Sequence, residues 1–255
     1  MSLEDIFKRN SAWVWNSLRE ARKLDIQLGE ESITDFLILN LKKTAGKNIK
    51  IQSFTRNEEA LNGADWAWWF TGPSGKWLGM RVQAKVIKLT IEKYMTLNHK
   101  NQYGIQTDLL VKDAKIHRMI PIYCMFTNWD PNKYRTPQNC GKQTTYARHY
   151  GAALLSISNL RRIKAKRSSH LSNFINNLIP LHCIFCFHPH TCMDLPYIVL
   201  AHALSNGFLS AEEADYVLQD KPPFYVQQIL DNESFEKVEA DDRLKTITIF
   251  QAIAQ

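Results

Sequence analysis

The stretch GADWAWWFTGPSGKWLGMRVQAK, residues 63–85, decides how this chain is read. Asp65–Thr71 is aromatic and strand-prone, Gly72-Pro73-Ser74-Gly75 is turn chemistry, and Trp77–Leu89 is a long returning strand. The spacing predicts an antiparallel hairpin. Residues two apart on a strand point to the same face, so Gln83 and Lys85 project together, with the small Ala84 turned the other way. Asp65 stands 18 residues before Gln83. With the turn near 72–75, the start of the first strand falls opposite the later part of the second, which makes Asp65 a cross-strand neighbour of Gln83 or Lys85.

An acid, an amide and an amine on one ribbon suit the cleavage of a phosphodiester, which calls for a divalent cation to activate water and offset charge on the scissile phosphate. Mg²⁺ takes oxygen ligands, and Mn²⁺ serves the same role. Asp65 supplies a carboxylate and Gln83 a neutral amide oxygen, while Lys85 positions or helps deprotonate the water and stabilises the pentavalent phosphate. One carboxylate and one amide are poor in negative charge, so a further acid is expected as the third metal ligand. Glu31, at the entry to the second helix, is the candidate, with Glu30 and Asp35 behind it. Each residue also has a plain structural reading. Asp favours turns after Asn-Gly, Gln83 and Lys85 would suit a solvent-facing edge strand, and an acid in a helix's first turn is expected from the helix dipole.

Working outward, a helix begins near Ser32 or Thr34. Ile33, Phe36, Leu37, Leu39, Leu41 and Ala45 line it, Lys42 and Lys43 lie in its last turn, and Gly46 ends it. Asn48–Thr55 alternates apolar and polar residues as a strand does. After the hairpin, residues 106–118 read as a helix and residues 119–129 as a buried strand. The order is α-β-β-β-α-β over residues 32–129, an α/β core around a mixed sheet.

An Asp on one strand, followed across a hairpin by Gln-x-Lys, resembles the PD-(D/E)xK nuclease superfamily, the restriction-endonuclease-like fold. More narrowly it is similar to the Mrr-like branch, in which Gln replaces the usual acid. The motif here reads Gly63-Ala64-Asp65, then Gln83-Ala84-Lys85, and the element order matches that superfamily's core. The resemblance covers about 100 residues. It implies a metal-dependent endonuclease acting on DNA, with a metal-ligating Glu on the first core helix, placed at Glu31. The Gly-Ala-Asp-Trp and Trp-Trp wording also resembles a bacterial group associated with phage defence. An RNase is not separated from a DNase by these residues. A non-catalytic nucleic-acid-binding or assembly module that kept the fold is the alternative from another class.

Charge adds to this picture. The 255 residues are 45% hydrophobic and 22% charged, ordinary globular usage, with a net charge of +7. Residues 1–195 carry 28 Lys/Arg against 15 Asp/Glu, and residues 196–255 carry 4 against 10. The basic part is where a polyanion would bind. Arg161, Arg162, Lys164, Lys166 and Arg167 form a run on an expected helix that would pair with phosphates, unless it is an ordinary solvated face. Trp66, Trp68 and Trp69 suit either base stacking or core packing.

His182, Cys183, Cys186, His188, His190 and Cys192 crowd six zinc-type ligands into one short segment. The same segment alternates like a buried strand over Leu181–Phe187, which would send Cys183 and Cys186 to opposite faces. Structural Zn²⁺ and a plain apolar strand both fit the sequence. Elsewhere, residues 4–24 form an amphipathic helix, with Ile6, Trp13, Val14, Leu18 and Leu24 near helical spacing. Residues 130–145 read as a loop, 150–158 as a strand or a helix, and 158–178, 196–206 and 210–219 as helices. The expected division is an N-terminal helical extension (1–30), a nuclease-like α/β domain (31–190) and an acidic helical C-terminal lobe (191–255).

Five cysteines, an odd number, argue against a disulfide framework and for a reducing compartment. No apolar run reaches the ~18 residues a membrane helix needs, and the charged N-terminus lacks a secretory apolar region. A cytoplasmic protein without membrane contact is expected, and a homodimer would suit double-strand cleavage. Nothing matches a P-loop, a dinucleotide fingerprint or a serine-hydrolase elbow.

Overall fold

The computed structural model describes residues 2–44, 49–53, 64–95, 97, 100–139, 145–165, 168–186, 194–231 and 246–251. In chain order the elements are α1 (Leu3–Lys23), α2 (Glu30–Thr44), β1 (Ile49–Ser53), β2 (Trp66–Thr71), β3 (Trp77–Val86), β4 (Lys100–Asn101), β5 (Gly104–Ile105) and α3 (Gln106–Ile116). They continue with β6 (Ile120–Phe126), β7 (Ala152–Ser156), α4 (Ile157–Ala165), β8 (Ile179–Pro180), α5 (Leu195–Ser205), α6 (Ala214–Val217), β9 (Leu218–Gln219), α7 (Phe224–Leu230) and β10 (Thr246–Gln251). The chain is a mixed α/β protein. Among the described residues the α-β-β-β-α-β order read from the sequence runs from α2 to β6, with the small β4–β5 ribbon added before α3.

Two compact units divide it. One contains Met1–Thr44, Ala84–Asn98 and Ile122–Cys186. The other contains Ala45–Gln83, His99–Pro121 and Phe187–Gln255. These bounds differ from the expected division at residues 30 and 190.

In the second unit the hairpin forms as read. β2 and β3 are antiparallel, with Trp66 opposite Val82 and Thr71 opposite Trp77. All six residues of β2 are buried, so both of its faces are covered. Trp66, Trp68 and Trp69 are at most 3% exposed, which corrects the base-stacking reading: they are core. Trp66 and Trp68 share a face with rings 5.5 Å apart, and Trp69 Nε1 donates to Tyr225 Oη at 3.2 Å. Gly79 lets β3 pass this crowd, since a Cβ there would lie 2.8 Å from Met119 and 2.9 Å from Trp69.

The C-terminal segment departs from the helical lobe expected of it. α5, α6 and α7 are helices, but Thr246–Gln251 is a fully paired strand between β1 and β2, antiparallel to the first and parallel to the second. That parallel pairing makes the sheet mixed. The reason is compositional: Thr-Ile-Thr-Ile-Phe is β-branched and aromatic, and five of the six residues are buried.

In the first unit, α1 buries Ile6, Phe7, Val14, Trp15, Leu18 and Ala21. Trp13 is only half-buried and Leu24 is 68% exposed. A Cβ at Gly151 would lie 1.9 Å from the Ser11 carbonyl oxygen, so the chain before β7 runs directly under α1. α2 buries Ile33, Leu37, Ile38 and Leu41, while Phe36 and Leu39 are exposed. β6 and β7 are antiparallel, and β7 pairs with the two-residue β8.

The helix expected over 158–178 ends at Ala165, and short 3₁₀ turns at Leu171–Asn173 and Ile175–Asn177 follow. The strand expected over Leu181–Phe187 is corrected too: Leu181–Phe185 is a 3₁₀ helix. Pro180 ends β8, and a proline cannot donate to a sheet ladder, so pairing stops there and the chain coils.

Candidate active site

β3 crosses from one unit to the other between Gln83 and Ala84, so its polar side chains belong to two separate sets. Arg81, Gln83 and Lys85 occupy alternate positions on one face of the strand and are 0%, 1% and 4% exposed. Burying three long polar side chains in a row is costly unless each is paired.

In the second unit, the Asp65 N–H donates to the Val82 carbonyl at 2.9 Å, which extends the β2–β3 ladder by one residue and sets Asp65 beside Gln83. Gln83 Nε2 donates to Asp65 Oδ2 at 2.5 Å. Gln106 Nε2, at the first residue of α3, donates to Gln83 Oε1 at 2.9 Å. Asp65 is half-buried while Gln83 is enclosed. Two turns further along α3, Asp113 Oδ2 lies 2.7 Å from Arg81 Nε. α3 is thus fixed to this face of β3 at two points. His117 caps the helix, with Nδ1 2.9 Å from the Asp113 carbonyl.

The expected cross-strand contact between Asp65 and Gln83 is present, with the amide N–H rather than its oxygen turned to the acid. Which end of a Gln amide carries the oxygen is assigned from its hydrogen bonds. Gln106 Oε1 is buried and has no hydrogen-bond partner among the described residues. Turning both amides over would set Gln83 Oε1 beside the Asp65 carboxylate at the expense of their hydrogen bond and would put Gln106 Nε2 where its unpartnered Oε1 now lies, so that arrangement is favoured only with a cation between the two oxygens. With the Gln83 amide so turned, Asp65 and Gln83 would offer two oxygens of the kind Mg²⁺ or Mn²⁺ takes.

In the first unit, Lys85 Nζ lies 3.5 Å from Glu30 Oε1. The loop before α2 is pinned to the chain just after β3: Gln27 Nε2 donates to the Ile87 carbonyl at 3.2 Å, and the Leu89 N–H donates to Gln27 Oε1 at 3.1 Å. This pinning brings the first residue of α2 to Lys85. The acid beside Lys85 is therefore Glu30, whereas Glu31 and Asp35 are exposed.

Reading the sequence missed Arg81, Gln106 and Asp113. The alternation Arg81-x-Gln83-x-Lys85 was visible as a signal for the first. Nothing local distinguishes Gln106 or Asp113 from ordinary residues of a solvated helix.

Of the basic run, Arg161 and Arg162 are exposed on α4 and Lys164 is half-buried, while Leu160 and Ile163 face the core. Arg162 donates to Asn159 Oδ1 at 2.8 Å and Asn177 Oδ1 at 2.7 Å, so it also ties α4 to the following turns. Lys166 and Arg167 lie outside the described residues, as do Gly63, His188, His190 and Cys192.

Fold and side chains together define a mixed α/β protein whose third strand carries a buried polar row flanked by a half-buried acid. The chain belongs to the family of unknown function DUF6615, whose model matches residues 3–254. It matches no curated protein and no solved structure. No helix among the described residues is long and apolar enough to cross a membrane.

Proposed function

We propose that this protein is a metal-dependent endonuclease that hydrolyses phosphodiester bonds in DNA, built on a restriction-endonuclease-like core of the Gln-x-Lys type. The observation that carries the reading is the Asp65–Gln83 contact across β2 and β3, with the orphaned Gln106 Oε1 behind it. Asp65 and Gln83 would hold Mg²⁺ or Mn²⁺, which supplies positive charge against the scissile phosphate and lowers the pKa of a water.

Lys85 orients the attacking water and offers its ammonium to the charge that develops on phosphorus. Glu30 keeps that ammonium oriented, and Glu31, the acid expected as a third metal ligand, stands exposed beside it on α2. Gln106 sets the orientation of the Gln83 amide. The exposed Arg161 and the half-buried Lys164 are offered to the DNA backbone.

The test is nicking of supercoiled plasmid by the purified chain, with Mg²⁺ and with EDTA. Cleavage is expected only with the metal, and Asp65→Ala and Lys85→Ala should abolish it while leaving the melting transition cooperative. DNA retained on a gel without metal-dependent cutting would replace the enzyme with a binding module. Equal cutting by either variant would remove the site.

A further inference from the structure

The 3₁₀ turn at Leu181–Phe185 changes what its side chains can do. In a 3₁₀ helix, residues i and i+3 eclipse, so Cys183 and Cys186 fall on one side of the turn rather than on opposite faces of a strand. The Cys186 N–H donates to the Cys183 carbonyl at 3.0 Å, which fixes that arrangement. The ligand atoms of His182, Cys183 and Cys186 all lie within 4.8 Å of one another. His182 Nε2 is 3.8 Å from Cys183 Sγ.

Zinc in tetrahedral N/S coordination, with bonds of about 2.0–2.3 Å, separates adjacent ligand atoms by about 3.6 Å. The measured spacing is already close to that edge, and a contraction of about 1 Å closes the widest pair. The cluster is largely enclosed: His182 and Cys183 are each 1% exposed, and Cys186 is half-buried. His182 Nδ1 is buried and has no hydrogen-bond partner among the described residues. Nε2, the ring nitrogen beside Cys183 Sγ, is the one placed to ligate, which leaves the proton on Nδ1, and thiols in reach of a cation ionise readily. Phe185 stacks on Phe7 of α1 with ring centroids 4.6 Å apart, and the His149 ring stands 5.3 Å from that of His182. The turn is therefore held against α1 and the 3₁₀ turn at Ala147–Tyr150 within one unit.

We propose that His182, Cys183 and Cys186 supply three of the four ligands of one zinc ion, which clasps this turn after β8. The metal is of the soft, N/S-liganded class and is separate from the oxygen-liganded cation of the proposed nuclease site. Its presence does not depend on that reading.

The test uses the full chain, purified without a histidine tag from zinc-replete growth, with zinc measured by elemental mass spectrometry. About one zinc per chain is expected, falling at least fivefold in Cys183→Ser and in Cys186→Ser. Cys124→Ser, a buried cysteine of β6 outside the cluster, should keep it. Should the serine variants fail to fold, Co²⁺ titration of the reduced, metal-stripped parent decides: thiolate-to-cobalt charge-transfer absorption saturating at one equivalent is expected. A zinc-free parent without that absorption overturns the proposal. So does zinc content unchanged in both serine variants, or a mass lower by two hydrogens that marks a Cys183–Cys186 disulfide.

Discussion

Replacing Gln83 by Glu interrogates the contact on which the proposed chemistry rests. The amide that donates to Asp65 Oδ2 at 2.5 Å becomes a second carboxylate at that distance. With an effective permittivity of about 20, two charges so placed repel by about 7 kcal/mol. A cheaper route exists. A carboxyl with an ordinary pKa near 4.3 keeps its proton at pH 7 for about 4 kcal/mol, and the pair then shares one hydrogen bond. The cheaper route wins, so the variant should lose about 4 kcal/mol at pH 7 and about 1 kcal/mol at pH 5.

The sign follows from linkage. The folded pair binds a proton that the unfolded chain has released above pH ~4.3, so the variant loses stability as pH rises, by about 1.4 kcal/mol per unit. Mg²⁺ neutralises the pair and should restore about 2.7 kcal/mol at a hundredfold excess over its dissociation constant. Urea denaturation of parent and variant at pH 5, 6 and 7, in EDTA and in Mg²⁺, reads all of this. A variant whose loss in EDTA does not grow with pH would show that residue 83 and Asp65 do not touch. A pH-dependent loss that Mg²⁺ fails to repair would leave the contact standing and remove the cation.

Asp113→Ala strips the partner from the fully buried Arg81 and should cost about 3–5 kcal/mol in urea denaturation, with a loss under 1 kcal/mol refuting the pairing. Gly151→Ala drives a methyl into the α1 backbone and should cost about 3 kcal/mol or more, whereas Gly75→Ala, with open space but φ +72°, should cost only about 1 kcal/mol. Burial pushes the Glu92 carboxyl up, but hydrogen bonds from Lys133 and Tyr134 and the charges of Lys133 and Arg22 outweigh it and hold the group below its ordinary range. Its stabilising share is therefore full above pH ~4.5 and is lost on acidification through the lowered pKa. Glu92→Gln should flatten the acid limb of the stability–pH curve, and an unchanged limb would contradict the network.

The β2–β3 hairpin was legible because its signals are local: aromatic strand formers, a Gly-Pro-Ser-Gly turn, and a two-residue alternation that set Gln83 and Lys85 on one face. The same locality let Asp65 be placed against Gln83 by counting outward from the turn. Other features were settled by partners distant in the chain. Thr246–Gln251 has the β-branched composition of a strand, but its insertion between β1 and β2 is set by partners distant in the chain. Glu30 comes to Lys85 because Gln27 pins the preceding loop to Ile87 and Leu89. The turn that gathers His182, Cys183 and Cys186 exists because sheet pairing stops at Pro180. The sequence by itself determined the α/β order and the acid–amide–amine motif, since both follow from periodicity and short-range turn chemistry. Only the tertiary structure decided which acid faces the lysine, that Gln106 backs the Gln83 amide and where the last strand inserts, because those depend on contacts between segments whose separation along the chain leaves no periodic trace.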